Sequence, residues 1–132
     1  MKLPSYLNCK IAIIGMGYVG LPLAVEFSKK RNCNLSGDFC ERNIIGFDIN
    51  IDRIKQLKNN QDFTNEISNE ELKSSYVNFT IDAQLLSEAD IFIVTVPTPI
   101  DKNNQPNFNP LIKASESIGK ALNNLKNDYN PI

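Results

Sequence analysis

Gly15, Gly17 and Gly20 stand at G-x-G-x-x-G spacing in Gly15-Met16-Gly17-Tyr18-Val19-Gly20, a pattern that can hold a phosphate chain on backbone amides. Alone it is weak, since glycine-rich turns produce it by chance. Here an apolar run, Lys10-Ile11-Ala12-Ile13-Ile14, leads into it and an amphipathic stretch, Leu21 to Lys30, follows. A second apolar run, Ile44-Ile45-Gly46-Phe47, then closes on Asp48. In that context Gly15 permits the tight turn, Gly17 lets a pyrophosphate approach with no Cβ in the way, and Gly20 lets the helix pack on the strand. Free N–H groups at the helix start, with the dipole behind them, favour the diphosphate charge. Asp48 suits an adenosine ribose: a carboxylate accepts from vicinal hydroxyls and repels a 2′-phosphate, which selects NAD over NADP. The usual interval to this acid is about 20 residues; Asp48 lies further on, and the polar stretch Arg31–Asn43 accounts for the excess as an extended loop. Asp38 and Glu41 compete on spacing, but neither ends an apolar strand. The alternative is a plain glycine turn with a helix-capping aspartate.

The elements that would position these residues alternate as β-α-β, the mark of an open parallel sheet. The run before Gly15 is apolar throughout, as for a strand buried on both faces. Leu21, Ala24, Val25 and Ser28 align along one side of the next helix, with Pro22 tolerated in its first turn. Ile51 to Lys58 makes a short helix, Asn59 to Thr64 a turn, and Asn65 to Ser75 a surface helix carrying Glu66, Glu70 and Glu71. Val77 to Ile81 is a weaker strand, Asp82 caps a short helix through Glu88, and Ile91 to Val96 is the strongest strand. Pro97-Thr98-Pro99 ends it, because proline cannot donate to a ladder. A polar loop leads to Asn109, and Pro110 opens a helix with Leu111, Ala114, Ile118, Ala121, Leu122 and Leu125 on one face.

Composition narrows the function classes. A chain of 132 residues, 42% hydrophobic and 22% charged, builds one core without staples. Its net charge of −1 offers no footprint for nucleic acid or an anionic membrane. No apolar run spans a bilayer, and Met1 to Lys10 lacks a signal-peptide core, so a cytoplasmic protein is expected. The three cysteines, Cys9, Cys33 and Cys40, form no C-x-x-C pair and read as free thiols of a reducing compartment. Histidine is absent, which removes His-dependent nucleophile pairs and the commonest zinc ligand sets, so no metal site is expected.

Lys10–Phe27, KIAIIGMGYVGLPLAVEF, and Ile91–Asp101, IFIVTVPTPID, resemble the UDP-glucose/GDP-mannose dehydrogenase family. IIGFDINIDRI and FNPLIKASESIGKAL continue the likeness, which covers nearly the whole chain apart from its ends and residues 31–43. It is most similar to the branch that oxidises UDP-N-acetylhexosamines for capsule, Vi-type or O-antigen polysaccharides. The resemblance implies a Rossmann domain over residues 1–132, a doubly wound, mostly parallel sheet in strand order 3-2-1-4. It implies NAD as cofactor and a UDP-sugar as substrate of the full-length enzyme. The backbones of Tyr18 and Val19 would line the pyrophosphate site, and Asp48 would hold the adenosine ribose. Arg53 would lie beside the adenine end; its spacing alone also suits a solvated charge. Thr98, after Pro97, would contact the nicotinamide half, or serve simply as a turn residue.

The family's oxidation of the sugar C6 alcohol passes through a thioester on a cysteine, whose thiolate adds to the aldehyde. None of Cys9, Cys33 or Cys40 sits in a matching context, and the expected S-T-x-x-x-G segment is absent, so no residue is carried over as catalytic. The chain is therefore expected to be an N-terminal fragment of a larger enzyme, inactive alone. Ending after four strands, it would expose Ile91–Val96 as an apolar edge, and is expected either to self-associate through it or to be only marginally stable. The competing readings are another two-domain NAD dehydrogenase, which VPTPID argues against, and a non-catalytic nucleotide-binding or interaction module.

Overall fold

The computed structural model describes residues 3–125 and 130–132. Four parallel strands form the sheet: β1 (Lys10–Ile14), β4 (Asn43–Phe47), β5 (Val77–Thr80) and β6 (Ile91–Val94). They lie in the order β5-β4-β1-β6, the expected 3-2-1-4 arrangement. The register pairs Ile14 with Phe47 and with Val94, so the strand ends that carry Gly15, Asp48 and Thr95 stand side by side.

Alternation along β1 divides the core between two faces. Ile11 and Ile13 meet Leu21, Ala24 and Val25 of helix α1 (Gly20–Ser28), with Ile54 and Leu57 of α2 (Ile51–Lys58) and Leu72 of α3 (Asn69–Ser74) in the same cluster. Ala12 and Ile14 face the other way, towards Leu86 in a 3-10 helix (Ala83–Glu88) and Ala114 and Ala121 of α4 (Asn109–Leu122). Every residue placed on the inner side of α1 from spacing is buried. Asp82 caps the 3-10 helix, accepting from Gln84 N–H, and Ser68 with Glu71 forms a capping box on α3.

Three expectations need correction. Residues 31–43 are not a plain loop. Here β2 (Arg31–Asn32) pairs antiparallel with β3 (Phe39–Cys40), and Gly37, at φ +77°, helps close the turn. The N-terminal segment ties this hairpin down: Glu41 N–H donates to Leu7 O and Arg42 Nε to Tyr6 O, both at 2.8 Å. Short strands with no apolar alternation carry no periodic signal, which is why the sequence reads as loop. Second, element ends differ: α1 ends at Ser28 and β6 at Val94, two residues short of the predicted ends in each case, and the helix expected over Asn65–Ser75 begins only at Asn69, after its Ser68 cap, leaving Glu66 outside it. Third, α4 buries Ala114 and Ala121, but Leu111 and Leu122 of the same stripe are exposed. The helix packs on the 3-10 helix and on the edge strand β6.

Candidate functional site

The glycine turn sits at the C-terminal ends of β1, β4 and β6, where an open α/β sheet binds ligands. Gly15 has φ +100° and donates its N–H to Phe47 O at 2.8 Å. A Cβ there would press on the backbone of Thr95 and Val96 at about 3.0 Å. At Gly20 the fit is tighter, for a Cβ would lie 1.8 Å from Gly15 O and 2.4 Å from Thr95 Oγ1. Gly17 differs from both. Its φ is ordinary, and a Cβ there would meet nothing within 4 Å. Nothing among the described residues explains that glycine.

Side chains hold the turn from three directions. Asp48 Oδ2 accepts from Met16 N–H and Oδ1 from Asn50 N–H, both at 2.8 Å. Arg53 Nε donates to Met16 O at 2.8 Å, so both sides of Met16 are tethered. Thr95 Oγ1 reaches Ile14 O at 3.0 Å and Gly15 O at 2.8 Å. Asp48 thus stands against the glycine turn. Its carboxylate does two jobs, orienting the loop and facing the cleft.

Arg53 is not the solvated charge that helix spacing also permits. Its side chain is 10% exposed, and Nη1 lies 2.8 Å from Asp62 Oδ1, an ion pair off line for a hydrogen bond. Nη2 donates to Thr64 Oγ1 at 3.2 Å. Asp62, fully buried, also accepts from the Thr64 hydroxyl and from the N–H groups of Thr64, Glu66 and Ile67. Burial pushes the Asp62 carboxyl up, but the Thr64 and Arg53 contacts and the backbone donors outweigh it and hold its pKa down to about 2.

These groups border a cleft of about 410 Å³ lined by Gly15, Met16, Gly17, Asp48, Arg53, Thr95 and Pro97, with Lys113 and Ser117 of α4 on its far wall. Gly20 is buried and lies outside the lining. Tyr18 and Val19 are exposed beside it, at the start of α1, and contribute no side chain to its lining. Thr98 is exposed and likewise lies outside the lining. Asp62, Thr64 and Thr95 are the residues that spacing missed. No cysteine lines the cleft. Cys9 is buried, which pushes its thiol up, and Cys33 and Cys40 belong to the β2–β3 region.

The NAD binding domain model of the UDP-glucose/GDP-mannose dehydrogenase family matches residues 9–127. Over 116 residues the chain is 52% identical to UDP-N-acetyl-D-glucosamine 6-dehydrogenase of Pseudomonas aeruginosa, covering 87% of this chain and 25% of that protein. It is 48% identical over 116 residues to Protein CapL of Staphylococcus aureus, covering 88% of this chain and 25% of that protein. Its fold superposes with a TM-score of 0.70 on NDP-N-acetyl-D-galactosaminuronic acid dehydrogenase from Methanosarcina mazei Go1, at 26% identity over 86% of this chain and 25% of that one. The chain thus spans about a quarter of the length of the curated relatives it matches.

Proposed function

The chain belongs to the UDP-glucose/GDP-mannose dehydrogenase family through its NAD-binding domain, and we propose that it forms the cofactor-binding part of a nucleotide-sugar 6-dehydrogenase. The substrate in this reading is a UDP-N-acetylhexosamine, whose C6 alcohol is oxidised to the uronate for a capsular or O-antigen polysaccharide. The 52% identical relative named UDP-N-acetyl-D-glucosamine 6-dehydrogenase supports the substrate class. NAD, when bound, accepts the hydride. The backbone of Gly17, Tyr18 and Val19 lines the pyrophosphate site, with Gly15 making the tight turn and Gly20 the close helix packing behind it; Asp48 holds the adenosine ribose, and Arg53 flanks the adenine end. Pro97 and Thr98 border the nicotinamide half. No cysteine lines the cleft, so none of Cys9, Cys33 and Cys40 is assigned the thioester role.

One observation carries the cofactor assignment: the three glycines differ in what surrounds them. Gly15 and Gly20 are needed by the protein itself, whereas the side of Gly17 where a Cβ would project is open space. Gly17→Ala should therefore leave the melting temperature within a few degrees of wild type. Its NAD affinity, by calorimetric titration, should fall about tenfold or more, roughly 1.4 kcal/mol. Unchanged affinity would remove the turn from the cofactor site. Asp48→Ala should weaken binding as well, but it also frees Met16 N–H, so Gly17 is the cleaner probe.

The domain works in the cytoplasm in this reading, in keeping with cysteines that form no disulfide. It self-associates through the β6 edge. That edge is covered in part, because Phe92 N–H donates to Ile132 O at 2.7 Å and Ile132 N–H to Asp90 O at 3.0 Å. Val94, exposed two residues on, keeps the edge apolar. Sedimentation over a concentration series should show a mass that rises with concentration and a weaker rise in Val94→Lys. A single monomeric species at the highest concentration would rule this out.

A further inference from the structure

Arg53 stands where sites for 2′-phosphorylated dinucleotides place a cation, near the acid that ends the second strand. It lines the same cleft as Asp48. A free guanidinium there would offset the repulsion that Asp48 exerts on a 2′-phosphate, since arginine binds phosphate strongly and bidentately. This guanidinium is not free. Nε is committed to Met16 O, Nη2 to Thr64 Oγ1, and Nη1 lies 2.8 Å from a carboxylate that has no exposed surface of its own.

Asp62 in turn cannot swing away to release it. The Thr64 hydroxyl donates to it at 2.6 Å, and three backbone N–H groups within residues 64–67 donate to it at 2.8–3.0 Å. Loop and ion pair therefore form one unit, built by a segment whose own chain never enters the glycine turn.

We propose that Asp62 is a specificity-determining residue of the NAD site, acting through Arg53: it neutralises and pins the cation that would otherwise receive a ribose 2′-phosphate. This rests on the reading of the cleft as a NAD site. Asp62 touches no cofactor; it is a positioning residue. Discrimination against NADP then has two sources, repulsion by Asp48 and sequestration of Arg53 by Asp62.

The experiment is separate titration of NAD and NADP into the wild-type chain, Asp62→Asn, Asp62→Glu and Thr64→Ala, with thermal melts to show that each is folded. The NADP-to-NAD affinity ratio should rise about tenfold or more in Asp62→Asn, where the charge is gone, worth roughly 1.4 kcal/mol. It should rise a few-fold in Thr64→Ala, where one tether is lost, and stay near wild type in Asp62→Glu, which keeps the charge. A purely structural role would lower both affinities together and leave the ratio alone. An unchanged ratio in folded Asp62→Asn overturns the proposal, as it does in Thr64→Ala should Asp62→Asn fail to fold. A wild-type chain that binds neither nucleotide refutes the site reading itself, and the proposal with it.

Discussion

Gly20→Ala should leave little folded protein. Alanine is ordinarily the better helix former by up to about 1 kcal/mol, so at the first residue of a helix the change would normally be mild or stabilising. Here the new methyl would lie 1.8 Å from Gly15 O and 2.4 Å from Thr95 Oγ1. Neither atom is the loose end of a flexible side chain. Gly15 is fixed by its own bond to Phe47 O and by φ +100°, and its carbonyl already accepts from Thr95 Oγ1 at 2.8 Å. Relief therefore requires α1 to move off β1, which opens the cluster of Ile13, Leu21, Ala24 and Val25. A cost of at least about 4 kcal/mol is expected, the range reserved for severe core lesions. Domains hold only about 5–15 kcal/mol in total. Far-UV circular dichroism and a denaturant titration would measure it. A midpoint equal to wild type would show that the helix packs less closely on the turn than these distances state, whereas the same substitution at Gly17 should leave the midpoint in place.

That contrast marks how far the sequence could be read. The turn, its flanking strands and Asp48 were legible because their logic is local: glycines at fixed offsets, an apolar run before them, an acid at the end of the next run. Both faces of β1 were legible because a continuous apolar strand in a β-α-β pattern has to be covered twice. What could not be read depends on long-range geometry. Leu111 and Leu122 obey the helical period yet are exposed, because burial depends on the partners that the tertiary fold supplies and not on spacing. The β2–β3 hairpin has strands too short to show a period, and it is anchored by Tyr6 and Leu7 far away in sequence. Thr95, one residue beyond β6, looked like strand, yet its hydroxyl braces the Gly15 carbonyl.

Asp62 is the instructive omission. Asp62-Phe63-Thr64 is an Asx-type turn that its residue types could have flagged, since an Asp carboxylate readily accepts from the N–H two residues on. No local rule could have joined it to Arg53. A buried ion pair is a relation between two segments, and its two halves look respectively like a turn residue and a helix-surface charge. Arg53 was singled out by resemblance alone, and the structure supplies the reason it is held where it is.

Asp62→Ala should be the other variant with a large loss, expected at about 3–5 kcal/mol. Removing the carboxylate strands the Arg53 guanidinium, a largely buried charge whose Nη1 lies 2.8 Å from that carboxylate. It also leaves the N–H groups of Thr64, Glu66 and Ile67 without their acceptor. The wild-type pH profile should carry the same signature. Asp62 has its pKa lowered from 3.8 to about 2, so the folded state binds its proton less readily than the unfolded chain does. Stability from this group is complete above the unfolded pKa and is lost as pH falls from about 4 through 2. A shift of that size corresponds to about 2 kcal/mol at neutral pH. It is smaller than the cost of Asp62→Ala because protonation leaves the carboxyl oxygens in place, whereas truncation removes them. Denaturant midpoints at pH 7, 5, 4, 3 and 2 for both proteins would test this. The gap between them should be widest above pH 5 and should narrow between pH 4 and 2. A constant gap across that range would mean that the Asp62 charge does not stabilise the fold.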